Sequence, residues 1–160
     1  MRRRQVYKGP HHANQLVRFG LQARDSTMIG ADFVSLVLRV AVGAGLVAHG
    51  IPKVKGGWGK QAGQWIGGMG VPPVAATMVT LLELFGGMFL IVGLLTPLVA
   101  AFFVIQFLAI IALKASKMKA GFMAAGDKPG YEIDFTYLLL SLAILFLGSG
   151  AISLDAILGI

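Results

Sequence analysis

Charge placed inside apolar runs constrains this chain more than any other feature. Residues 32–53 read DFVSLVLRVAVGAGLVAHGIPK, with Arg39 near the middle and His49 near the end. The run is close to the ~20 residues that a bilayer core requires. A second run, VAATMVTLLELFGGMFLIVGLL, carries Glu83 near its centre. Ionisable groups at such depth are expensive in lipid, so each is expected to face a partner or a wet cavity.

Composition gives the reason to read these runs as spans. Hydrophobic residues are 56% of the chain, charged residues 13%, and mean hydropathy is +0.78. A soluble domain usually carries about 25% charged residues. A chain of 160 residues this apolar cannot cover itself with polar surface, so lipid is the solvent for most of it. The absence of cysteine excludes disulfide relays, CxxC redox chemistry, iron–sulfur clusters and thiolate zinc sites. The net charge of +7 sits in the N-terminal tail and in loops beside apolar runs. That placement points to anionic lipid headgroups rather than nucleic acid.

The pattern divides into a basic polar tail, residues 1–30, and a membrane domain, residues 31–160. The fold class is all-α: a four-helix transmembrane bundle with a short interfacial helix between spans one and two. In the tail, His11 and His12 lack a third ligand and follow Gly9-Pro10, so they read as loop residues and no metal site is assigned. Residues 13–24 suit a short amphipathic helix on the membrane surface. Span one is expected from about Asp32 to Ile51, with Asp32 or Ser26 as N-cap and Pro52 ending or kinking it. Trp58, Ala62 and Trp65 recur at helical spacing in the next segment and suit an interfacial helix. Span two follows from Pro73. The turn at Gly93 to Pro97 is short enough to force an antiparallel hairpin with span three, residues 97–114, with Thr96 as its N-cap. Gln106 is the strongly polar residue of span three and suits a helix–helix hydrogen bond. A polar loop ends at Tyr131, Glu132 and Asp134, and span four covers residues 134–149. Asp155, in the apolar C-terminal tail, is expected at the interface. Four spans place both termini on one side, taken here as the cytoplasm. The tail carries six cationic residues and the opposite loops seven, so charge alone does not orient the chain.

Rise per residue puts the Cα atoms of Arg39 and Glu83 roughly 7 Å apart in depth, within reach of an Arg side chain. His49 lies a similar distance from Glu83 on the loop side. Two readings stay open. Arg39 and Glu83 form a pair that sets helix register, or Glu83 and His49 handle protons for a small redox ligand while Arg39 balances charge. Histidine suits the second because its charge changes near neutral pH.

Four runs then carry a resemblance: LRVAVGAGLVAHGIPKV, WGKQAGQWIGGMGVPP, LLELFGGMFLIVGLLTP and YEIDFTYLLLSLAILFLGSGAISLD. In order and spacing they resemble the DoxX/DoxD family over residues 33–157. That resemblance implies a four-helix membrane protein in a quinone-linked setting, since the family's namesake is a subunit of a thiosulfate:quinone oxidoreductase. It implies that Arg39, His49 and Glu83 line a quinone or proton site, with Lys53, Trp58, Trp65, Tyr131 and Asp134 near its mouth. The chain shows no electron relay of its own, so catalysis of that type would require partner subunits. The alternative expectation is a non-catalytic accessory or scaffold subunit of a larger membrane complex. A transporter is the weaker reading, because no internal repeat supports alternating access.

Overall fold

The computed structural model describes residues 27–57, 72–126 and 130–160, together with the helical backbone of residues 11–26. The elements are α1 (His11–Lys55), α2 (Pro73–Val92), α3 (Thr96–Ser116), α4 (Glu132–Leu147) and a terminal turn α5 (Leu154–Leu158). No strand occurs among the described residues. Among the described residues, three helices are long and apolar enough to cross a membrane: Thr27–Lys55, Pro73–Val92 and Thr96–Ser116. The fourth expected span corresponds to α4, which has 16 residues, about 24 Å at 1.5 Å per residue.

The packing is that of a bundle in lipid. Ser35, Arg39, Thr80, Glu83, Thr96, Gln106, Ser141, Ser153 and Asp155 are buried, whereas Phe33, Met78, Phe102, Ile105 and Phe146 are exposed. Polar groups turn inward because lipid offers them no hydrogen bonds, and large apolar groups lose nothing by facing acyl chains. The apolar part of the core runs along α3, with Val99, Ala100, Phe103 and Phe107 against Leu46, Leu90, Leu138 and Ile144.

Helix α1 extends well beyond the span expected for it. His11 and His12 are helical and continuous with it, not a loop, and residues 13–24 are not a separate surface helix. No proline interrupts the chain between residues 13 and 51, so an established helix adds residues at little cost. Pro52 does not end α1 either; the helix runs on to Lys55. Asp32 lies inside α1 and accepts from the Ala151 N–H at 2.9 Å, so it is a tether for the C-terminal segment rather than a cap. The expected interfacial helix, with Trp58 and Trp65, lies outside the described residues.

Close approach of α1 and α2 sets the register of the bundle. A Cβ on Gly43 would stand 2.5 Å from the Gly87 carbonyl oxygen, and one on Gly87 would stand 2.8 Å from that of Gly43. Neither backbone could come so near with a side chain between them. The same pair of helices brings Gly50 against Leu84, 3.2 Å from the place a Cβ would occupy. This register puts Arg39 level with Gly93 and Glu83 level with His49 and Gly50. The two charges are therefore about ten residues apart in depth, roughly 15 Å, and not the shorter distance that span boundaries suggested.

Candidate functional site

The carboxylate of Glu83 is the centre of one polar cluster. It sits on a π-helical turn, Leu82–Gly86, that interrupts α2. Such turns insert one residue into an α-helix, re-aim the side chains around it and are frequent at functional sites. Lys53 Nζ donates to both carboxylate oxygens, at 2.7 and 2.5 Å. Gln106 Nε2 donates to Oε1 at 3.3 Å. The Glu83 side chain is 5% exposed and that of Lys53 32%. Lys53 reaches Glu83 because Gly50, one turn earlier on α1, lets that helix press on the π turn. The expected Arg39–Glu83 pair is thus replaced by Lys53–Glu83.

Tyr137 of α4 stands beside this cluster. Its ring stacks on Phe107 with centroids 5.3 Å apart, and it meets the ring of His49 edge-on at 6.0 Å. Its hydroxyl rests against the backbone of Gly45, where a Cβ would collide with it. Neither the Tyr137 hydroxyl nor His49 makes a hydrogen bond among the described residues. The buried Oε1 of Gln106 likewise has no partner among them. His49 is exposed and does not bond to Glu83, although the two are level.

Arg39 belongs elsewhere. It is fully buried, and its Nη1 and Nη2 donate to the carbonyls of Leu90 (3.3 Å) and Ile152 (2.6 Å). The acidic group whose charge acts on it is Asp155. Asp155 is not at the interface; it is buried, and its carboxylate accepts from the N–H groups of Leu95 (2.6 Å) and Thr96 (2.9 Å). The α3 N-terminus is therefore capped from the C-terminal tail and not by Thr96, whose hydroxyl has no partner among the described residues. An acidic group at a helix N-terminus satisfies free N–H groups and opposes the helix dipole. Here it also holds Leu95 at φ +50, a conformation unfavourable for a side-chain-bearing residue.

The remaining expected site residues separate from the Glu83 cluster. Asp134 pairs with Lys114 at 2.5 Å near the loop end of α3, and Lys114 also donates to the Gly130 carbonyl at 3.2 Å. Tyr131 packs edge-on against Phe122, with centroids 5.5 Å apart, inside the preceding loop. Trp58 and Trp65 lie outside the described residues. Of the eight expected residues, the structure brings together Glu83, Lys53 and, through Tyr137, His49. Tyr137 was not among the expected site residues, and Gln106 read as a helix–helix hydrogen bond. Their convergence on Glu83 was not readable.

Comparison with known proteins follows from this geometry. The DoxX family matches residues 34–115, which include Arg39, His49, Lys53, Glu83 and Gln106. The chain belongs to the DoxX family. A Bacillus subtilis (strain 168) protein named "Putative oxidoreductase CatD" is 32% identical over 121 residues, covering 76% of this chain and 84% of that one. No solved structure matches the chain. Arg39, Lys53, Glu83 and Gln106 fall within the DoxX match, whereas Tyr137, Ile152 and Asp155 lie beyond it.

Proposed function

We propose that this DoxX protein is the membrane subunit of a quinone-linked oxidoreductase complex, of the thiosulfate:quinone kind that its family suggests. The observation that carries this reading is the Lys53–Glu83–Gln106 cluster on a π turn deep in the bundle. A buried carboxylate whose partners among the described residues are side chains can exchange them, and the adjoining Tyr137 hydroxyl and His49 imidazole are placed to carry a proton onward. Lys53 takes the charge-balancing role first considered for Arg39. Electrons come from partner subunits, and this chain supplies the membrane-embedded proton and quinone end. The name of the Bacillus subtilis relative supports the oxidoreductase class. Four spans with both termini in the cytoplasm complete the proposed topology.

The test is quinone reduction by the complex purified from its native membrane. Glu83→Ala and His49→Ala are expected to lower turnover by about a hundredfold, the low end of what a positioned proton-transfer group contributes. Unchanged turnover in both variants would refute the reading. The second reading, a non-catalytic accessory subunit, draws on the broad apolar faces of α1 and α3, where Phe33, Val37, Phe102 and Ile105 are exposed. A partner that copurifies in fixed ratio and keeps full quinone activity with Glu83→Ala would favour it.

A further inference from the structure

A cleft of about 280 Å³ opens between α1 and α4, lined by Ala41, Val42, Ile133, Thr136, Tyr137 and Leu140. Ala41, Ile133 and Thr136 are exposed, so the cleft faces sideways into the region that lipid occupies. Its volume is near the small end of the ~300–1,000 Å³ range of ligand pockets. Among the described residues the wall holds no charged side chain. Its polar members are Thr136, whose hydroxyl donates to the Glu132 carbonyl at 2.9 Å, and Tyr137, whose hydroxyl has no partner among the described residues. That hydroxyl rests on Gly45, one turn along α1 from Ala41 and on the same helix face.

Building on the quinone-linked reading above, we infer that this cleft receives the ring of a membrane quinone, with the Tyr137 hydroxyl donating a hydrogen bond to one ring carbonyl. The chemistry fits on three counts. A quinone ring is flat and uncharged, which suits a wall without ionic groups. It arrives by diffusion within the bilayer, which suits a lateral opening. It offers only acceptor oxygens, and the free group in the wall is a phenol that can donate. Tyr137 is also held for the purpose: Phe107 stacks on one side of its ring, and His49 meets it edge-on. A side chain fixed by packing loses little freedom when it binds. A lipid acyl chain could enter the same opening, but nothing on it would engage the phenol, so the hydroxyl distinguishes the two occupants.

The experiment uses the full-length protein in nanodiscs, with decylubiquinone as the titrated ligand and an azido derivative of it for light-driven labelling. Label is expected on the peptides that contain Ala41–Gly45 and Ile133–Leu140. Tyr137→Phe keeps the ring and its stacking and removes one hydrogen bond, so Kd is expected to rise about fivefold. Ala41→Phe, at an exposed position where folding is not at stake, fills the cleft and is expected to abolish the labelling of both peptides. Thermal unfolding of each variant checks that the bundle is intact. Labelling lost in Ala41→Phe with unchanged affinity in Tyr137→Phe would mean an acyl-chain groove and would overturn the assignment. Saturable binding with label elsewhere would overturn the cleft while leaving the quinone-linked reading in place. No binding of decylubiquinone by the wild-type protein would overturn both.

Discussion

Two buried charged clusters sit at different depths in this bundle, and they differ in what holds them. At the terminal end, Arg39 donates to two backbone carbonyls and Asp155 accepts from two backbone N–H groups. These bonds join α1, the end of α2, the start of α3 and the C-terminal segment. Ser35 adds a bond to the Gly148 carbonyl at 2.7 Å, and Asp32 adds one to Ala151. Nearer the loops, the partners of Glu83 among the described residues are two side chains, Lys53 and Gln106. Backbone partners cannot move without moving a helix, whereas side-chain partners can swing away. Burial does not separate the two clusters, since Arg39 is 0% exposed and Glu83 4%. The kind of partner does. The first cluster ties the C-terminal segment to the bundle, and the second has the movable side-chain partners that the proposed exchange of a proton or ligand calls for.

The comparison can be broken in four places. Arg39→Ala should have the largest effect on stability. It removes both carbonyl bonds, leaves Asp155 buried without its countercharge, and should destabilise the fold by about 3–5 kcal/mol. Thermal unfolding in detergent, or the yield of folded protein, reads this directly. Gly43→Ala should cost about 1–3 kcal/mol by forcing α1 and α2 apart, and because the Glu83 cluster depends on the same approach at Gly50, quinone turnover should fall with it. Asp155→Ala removes the cap of α3 and should lower stability by about 1–2 kcal/mol. Proteolysis of the C-terminal segment should rise in that variant before global unfolding. Glu83→Gln should be nearly neutral for stability, since it preserves shape and retains an acceptor for Lys53, yet it should lower quinone reduction about a hundredfold. If Arg39→Ala impaired turnover at full stability, or Glu83→Gln unfolded the protein, the division of labour between the clusters would be wrong.

Much of this could be read in the sequence, for identifiable reasons. The membrane class followed from runs of apolar residues, because the thickness of a bilayer sets a length that periodicity alone does not. The importance of Arg39 and Glu83 followed from their cost in lipid. The pairing between them did not hold. Depth was counted from guessed helix ends, and the true register comes from Gly43 meeting Gly87. Asp155 read as a surface residue because its partners, the N–H groups of Leu95 and Thr96, are sixty and fifty-nine residues away in the chain. Lys53 was expected near the mouth of a site, and nothing local in the sequence showed that it turns in to Glu83.

By itself, then, the sequence determined the solvent, the helical class, the family and the identity of the residues that lipid would not tolerate alone. Each of these depends on composition and local spacing. Only the tertiary structure decided which charge meets which, that Lys53 and not Arg39 neutralises Glu83, and that the tail closes the far end of the bundle through Asp155. Those choices depend on how far one helix slides along another. A shift of about three residues moves a side chain by nearly a full turn. Contact between glycine backbones sets that slide, and the contact exists only once the helices have packed.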